Sequence, residues 1–229
     1  MPRKSKSIKI TDRKKAWNKK RSKKRPYKTE SEEKEKTFLI ICEGENTEPE
    51  YFKSFPVKTA QIRSFGLGRS RTALIEYVIM IVKDDNDKDT ENWVVFDMDI
   101  KPDNVAVQKV DYENAIQLAE NENIKVAYSN DSFELWLLLH YQYFDNQWTR
   151  HQYYKRLSEL WDCNYEKMGK QKVFCQQIYK RLQEDDRSNQ SEAITRAKKL
   201  FEDQKELQVS EKNPATQVYL LVEELNKHI

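Results

Sequence analysis

The chain reads as an α/β protein, a mostly parallel sheet with helices on both faces, followed by a helical C-terminal region. Three observations carry this reading. Short apolar runs rich in β-forming residues alternate with stretches of helical period between residues 37 and 140, the pattern of successive βαβ units. The leading runs are apolar throughout rather than alternating, as expected of strands buried on both faces. Beyond about Phe144 only helical spacing is left. Four glycines in 229 residues argue against a loop-rich all-β fold.

Residues 37–42 form the first expected strand, with Glu43-Gly44 directly behind it. Thr47 then offers a cap, with Pro49 in the first turn and Glu50 at the capping-box position, for a helix reaching about Phe55. Residues 57–62 read as a second strand. Residues 69–83 read as a helix with Leu74, Tyr77, Val78 and Ile81 on one face. A polar loop over 84–92 leads to a strand at 93–96, followed at once by Asp97-Met98-Asp99. Residues 101–104, with Pro102, form a loop. Residues 111–121 are helical, 124–128 a strand, and 132–140 a helix dominated by Leu135 to Leu139. In the C-terminal region Tyr153, Leu157 and Trp161, then Phe174, Ile178 and Leu182, then Ile194, Ala197 and Phe201 keep helical spacing. Asn213-Pro214 reads as the cap and first-turn proline of a last helix burying Val218, Leu221, Val222 and Leu225. The expected organisation is a disordered basic arm over 1–36, an α/β domain over 37–144, and a helical region over 145–229 packed on it.

Charge divides along the chain. Residues 1–28 hold 14 Lys or Arg against the single acid Asp12, a net +13; the remaining 27 bases and 37 acids give −10. An acidic body repels phosphates unless a cation intervenes, and a basic arm or a divalent metal would each supply one. The arm reads equally as a solubilising tail or as a contact for nucleic acid or a ribosome surface. Three scattered cysteines with no C-x-x-C pair point to reduced thiols in a cytoplasmic protein without a zinc site. No apolar run reaches the ~18 residues of a membrane span, and no apolar stretch follows the basic N-terminus to make a secretory signal.

In open α/β sheets, ligands bind outside the carboxyl ends of the strands. Glu43 and the Asp97/Asp99 pair both fall at such ends. Hard oxygen ligands in that pattern suit Mg²⁺, or Mn²⁺, with room left for water and phosphate. An Asp after a strand is also common in turns and caps, and it is the second strand end that lifts the metal reading above this one. Glu134 has two readings, a further metal or catalytic carboxylate and the closing residue of a capping box opened by Asp131; Asp103 is a further candidate to assist the metal. His140 reads as a proton donor or nucleic-acid contact, or as a structural histidine among leucines. Arg69, Arg71 and Lys101 are candidate phosphate contacts, with a solvated helix start as the alternative for the arginines. The aromatics of 141–179 stack bases or fill the core.

These residues carry a family resemblance. The run from Phe38 through Glu43-Gly44-Glu45-Asn46-Thr47-Glu48 to Phe52 resembles the opening motif of the RloB-like family, the AbiLii-type abortive phage-resistance proteins. Trp93 to Asp99, Ser129 to His140, and Asn213 to Leu225 resemble its later motifs, so the resemblance spans roughly residues 33–227. The family in turn resembles a divergent Toprim domain, which implies a Toprim/Rossmann-like sheet and Mg²⁺ held by Glu43, Asp97 and Asp99. Ile100-Lys101-Pro102 departs from the wider Toprim pattern by lacking its glycine. No topoisomerase tyrosine, primase zinc motif or P-loop is found. The resemblance therefore implies a nuclease acting on DNA or RNA in phage defence, beside an operon-encoded AAA or ABC-type ATPase, with self-association open. The competing readings are a non-catalytic adaptor subunit of an ATPase complex and, more weakly, a nucleotide phosphotransferase or phosphohydrolase.

Overall fold

A computed structural model describes residues 36–68, 71–84 and 89–229. The expected arm, apart from Lys36, and the candidate Arg69 lie outside these residues. Strands and helices alternate from the start: Lys36–Cys42 (β1), Thr47–Lys53 (α1), Ala60–Gly66 (β2), Arg71–Asp84 (α2), Thr90–Asp97 (β3), Val105–Asn121 (α3), Lys125–Asn130 (β4) and Glu134–Leu139 (α4). The helices Arg150–Trp161 (α5), Tyr165–Met168 (α6), Lys172–Cys175 (α7), Ile178–Glu184 (α8) and Gln190–Asp203 (α9) follow. A two-residue strand, Ala215–Thr216 (β5), precedes the last helix, Val218–Asn226 (α10). The sheet runs β2-β1-β3-β4-β5. Its first four strands are parallel, and β5 closes the edge antiparallel to β4.

The absence of alternation in β1 and β3 follows from cover on both faces. Phe38, Ile40, Cys42, Trp93 and Val95 project into a core shared with α1, α4 and the C-terminal helices. Leu39, Ile41, Val94 and Phe96 project the other way, against α2 and α3. Residues 134–139 are buried all round, because α4 packs against β4, α5 and α9 at once. The helical region therefore continues the core of one sheet face. Among the described residues no helix is long and apolar enough to cross a membrane.

Several boundaries differ from the sequence reading. The second strand is Ala60–Gly66 rather than 57–62. It lies at the sheet edge, where Gln61 and Arg63 face outward, so its polar alternation hides it beside the more apolar Val57. Helix α3 begins six residues earlier than its inward-facing period, because Val105, Val107 and Val110 in its first turns are exposed. Asn213-Pro214 does not open the last helix. Ala215 and Thr216 pair with Asn130 and Ser129 first, and the Gln217 N–H donates to the Tyr128 carbonyl at 2.8 Å. Thr47 starts α1 without capping it and instead donates to the Gly169 carbonyl.

The strand order decides where a site can form. From β1 the chain crosses through α1 to β2 on one side, and from β3 through α3 to β4 on the other. The connections leaving β1 and β3 thus run in opposite directions, opening a crevice at their carboxyl ends. The crevice wall is tight: a Cβ on Gly66 would run into the backbone of Gly44 and Glu45, so the end of β2 can press against the turn after β1 only as glycine. Gly66→Ala is expected to destabilise the protein by about 1–3 kcal/mol, read as a lower urea midpoint at unchanged m-value. An unchanged midpoint would show that this close approach is not needed.

Candidate functional site: an acidic cavity at the switch point

Strand periodicity aims the carboxylates. Asp97 ends β3 on the face shared by Trp93 and Val95, toward α1, α4 and α5. The chain beyond it stays tied to the β4 side: Met98 N–H donates to the Ser129 carbonyl at 2.8 Å, and Asp99 N–H to the Asp131 carbonyl at 3.2 Å. Asp99, at φ 30, takes the positive-φ backbone that Asp tolerates better than most residues. From β1, the Glu43 N–H bonds the Val95 carbonyl at 2.8 Å, and a Glu43 carboxylate oxygen accepts from the Asp97 N–H at 3.3 Å. Glu43, Asp97 and Asp99 therefore face one cavity of about 200 Å³, together with Gly44, Thr47, Glu48, Glu134, Arg150 and Tyr154.

Three of these residues escape local sequence reading. Glu48, on α1, is 7% exposed, and its carboxylate lies where a Cβ on Gly44 would be, which accounts for glycine directly after Glu43. Arg150 opens α5, where Thr149 and Gln152 form a capping box. Its Nη2 donates to Asp97 Oδ2 at 2.8 Å and its Nη1 to Asp99 Oδ2 at 3.1 Å. Its main-chain N–H donates to Asp131 Oδ2 at 2.9 Å. Tyr154 lies one turn further along the same helix. Nothing in the spacing around Thr149-Arg150 points to strand ends some fifty residues away. Glu48 had a signal, since it belongs to the opening motif, but as a first-turn acid it reads as an ordinary helix-start residue.

The remaining candidates fall into place around this cavity. Glu134 lines it, 6% exposed, with Oε1 accepting from the Tyr165 hydroxyl at 3.0 Å; the expected capping box is not made, because Phe133 occupies the cap position and Asp131 serves Arg150 instead. Arg71 is not free for phosphate. It donates to the Met98 carbonyl and pairs with Asp111 at 3.7 Å, so it braces the main chain between the two aspartates. Lys101 and Asp103 are exposed and do not line the cavity. His140 is 1% exposed. Its Nδ1 lies 3.0 Å from the Trp136 carbonyl, its ring stands edge-on to Trp136, and burial holds it down to about 4. It is a neutral core histidine, out of reach of a polynucleotide. The aromatics of 141–179 are mostly core: Tyr153, Trp161, Tyr165 and Phe174 are buried.

Among the described residues, five carboxylates, Glu43, Glu48, Asp97, Asp99 and Glu134, thus share the cavity with one lining cation, Arg150. Burial raises Glu43. Burial, and then the charge of Glu134, brings Glu48 up to about 7, its own main-chain N–H working the other way. Asp97 is pushed up by burial and by Glu48 and pulled back by Arg150. Against its own burial, Arg150 is held as a cation by Asp97, Glu134 and Asp99. The 2.8 Å bond to the guanidinium favours the charged form of Asp97, whereas no cation bonds Glu48 among the described residues and burial raises it. The donor set fits Mg²⁺ or Mn²⁺, hard oxygens in excess of positive charge. Among the described residues, however, no three carboxylate, His or Cys side chains are already drawn together as a cage, and Asp97 and Asp99 are spanned by Arg150.

Comparison with known proteins identifies a family. A family model described as RloB-like protein matches residues 38–225, a span that takes in all but the first two residues of the sheet and nearly all of the helical region. No curated protein and no solved structure matches the chain.

The crowding has a pH signature. A carboxyl raised on folding binds its proton more tightly in the native state, so between the unfolded value near 4.5 and the folded value near 7 the native protein holds more protons. Stability then falls as pH rises across that window. For Glu48 the loss is on the order of 3 kcal/mol. In metal-free buffer, Glu48→Gln is expected to flatten the decline and to melt above the wild type at pH 8. Parallel urea titrations from pH 4.5 to 8 check this, and equal slopes for both proteins would show that Glu48 does not carry the proton.

Proposed function

The chain belongs to the RloB-like protein family, and from that membership together with the acidic cavity we propose that it is a Mg²⁺-dependent nuclease of the Toprim type. It hydrolyses phosphodiester bonds of DNA or RNA in anti-phage, abortive-infection defence, and works with a partner ATPase. The observation that carries the reading is the delivery of Glu43, Asp97 and Asp99 from two separate strand ends into one cavity at the switch point of the sheet. In this proposal those three side chains hold the metal. When bound, the metal supplies a water made nucleophilic near neutral pH and a counter-charge for the phosphate oxygens.

The chain's own residues do the rest. The Asp97 N–H orients Glu43. Arg71 fixes the main chain carrying the aspartates by bonding the Met98 carbonyl. Glu48, buried and raised to about 7, is the acid suited to pass a proton to a leaving oxygen. Walls from α1, α4 and α5 narrow solvent access. The partner ATPase supplies the nucleotide sensing for which no P-loop is present in the sequence.

A second reading, a non-catalytic adaptor in an ATPase complex, is favoured by one observation: Arg150 already pairs with both Asp97 and Asp99. The two separate in one experiment. Asp97→Asn with Asp99→Asn should keep the wild-type circular dichroism spectrum. It should lose all cleavage of tRNA, plasmid and single-stranded DNA in Mg²⁺ or Mn²⁺, a fall of at least about 10³-fold. Millimolar Mg²⁺ should raise the melting temperature of the wild type only. Cleavage that survives the double substitution removes the nuclease reading. A wild type that neither binds divalent ions nor cleaves, alone or with its operon partner, leaves the adaptor.

A further inference from the structure

We propose that Arg150 is a built-in counter-ion that competes with the divalent metal for Asp97 and Asp99, making metal loading conditional on its displacement. The inference rests on the metal-site reading above and concerns only how that site is filled.

The argument starts from the guanidinium fork. A planar fork with two parallel donors matches two acceptor oxygens and binds them with geometric specificity. Here the two acceptors belong to different residues: one nitrogen takes Asp97 and the other Asp99, at 2.8 and 3.1 Å. These are the paired aspartates that the motif Asp97-Met98-Asp99 brings to one face. The same carboxylate oxygens cannot be held by a cationic fork and also serve a dication fully, because two positive centres sharing one pair of ligands repel strongly in a poorly hydrated cavity.

The contact is also built to let go. Asp97 is largely buried, but the Asp99 side chain is 45% exposed and that of Arg150 31%. The Arg150 Nε is buried with no hydrogen-bond partner, so the head group is not locked from behind. The backbone anchor is separate: the main-chain N–H bonds Asp131, and the capping box of Thr149 and Gln152 fixes the first turn of α5. The side chain can therefore leave the aspartates without unwinding its helix. A displaced guanidinium tethered at the cavity wall remains within reach of a phosphate oxygen, for which its fork is equally suited. Arg150 would then act first as a lock on the ligands and afterwards as a positioning group for the polyanion.

The test titrates Mn²⁺ into the full-length, metal-free protein by calorimetry. Arg150→Ala is expected to bind Mn²⁺ at least about tenfold more tightly than the wild type. Arg150→Lys, which keeps the charge but cannot bridge both carboxylates, should fall between. Low-millimolar methylguanidinium should weaken Mn²⁺ binding to Arg150→Ala and leave the wild type unaffected, a response that a merely structural arginine would not produce. If Arg150→Ala does not fold, the tighter binding of Arg150→Lys carries the test. Unchanged or weaker Mn²⁺ affinity in the variants, with binding still abolished by Asp97→Asn/Asp99→Asn, overturns the counter-ion role and leaves the metal site standing. Absence of Mn²⁺ binding in wild type and Arg150 variants alike overturns both.

Discussion

Negative charge gathered at the carboxyl ends of β1 and β3 is the constraint on which the rest of this structure depends. Asp97, Glu48 and Glu134 are each less than a tenth exposed, and isolated carboxylates at that depth cost several kcal/mol apiece unless protonated or paired. The fold meets the constraint in three ways at once. Arg150 bridges the aspartates, burial raises Glu48 so that it takes up a proton more readily, and main-chain or hydroxyl donors engage Glu43 and Glu134. Each of these is a local solution, and none fully discharges the cavity.

That residual imbalance explains why the helical region belongs to the site rather than merely following it. Among the described residues, the sheet and its crossover helices supply four of the five carboxylates and no cation that lines the cavity. The cation comes from α5, and the hydroxyl that engages Glu134 comes from Tyr165 of α6. The loop after β1 is in turn tied to the turn after α6 through Asn46 and Thr47, which donate to the Lys170 and Gly169 carbonyls. A continuous apolar core through α4, α5 and α9 sets the distance at which Arg150 meets the strand ends. A shift of a single turn in α5 would break the bridge and leave the aspartates to repel each other.

A buried polar network of this kind is stable only when every member is served, and it responds strongly to the removal of one. The acids and the guanidinium satisfy one another only in part, since Arg150 Nε has no hydrogen-bond partner and a single guanidinium faces five carboxylates among the described lining residues. In the function proposed above, a bound cation and polyanion would make up the difference, and the partial exposure of Asp99 and Arg150 would give them access.

What the sequence determined by itself is local. Strands buried on both faces need unbroken apolar runs, helices need a 3.6-residue period, and both signals are complete within ten residues. The alternating architecture, and the placement of Glu43, Asp97 and Asp99 at strand ends, could therefore be read directly. The edge strand Ala60–Gly66 was misplaced because Gln61 and Arg63 face outward and its apolar signal is diluted. Tertiary structure alone decided the partners. Arg150 stands 51 and 53 residues from the aspartates it holds, and β5 joins β4 where Thr216 pairs with Ser129, 87 residues earlier. It also decided that His140 is core and Arg71 a brace. No local period encodes such pairings, because they are fixed by the packing of whole helices on a sheet and by the cost of leaving a buried charge alone.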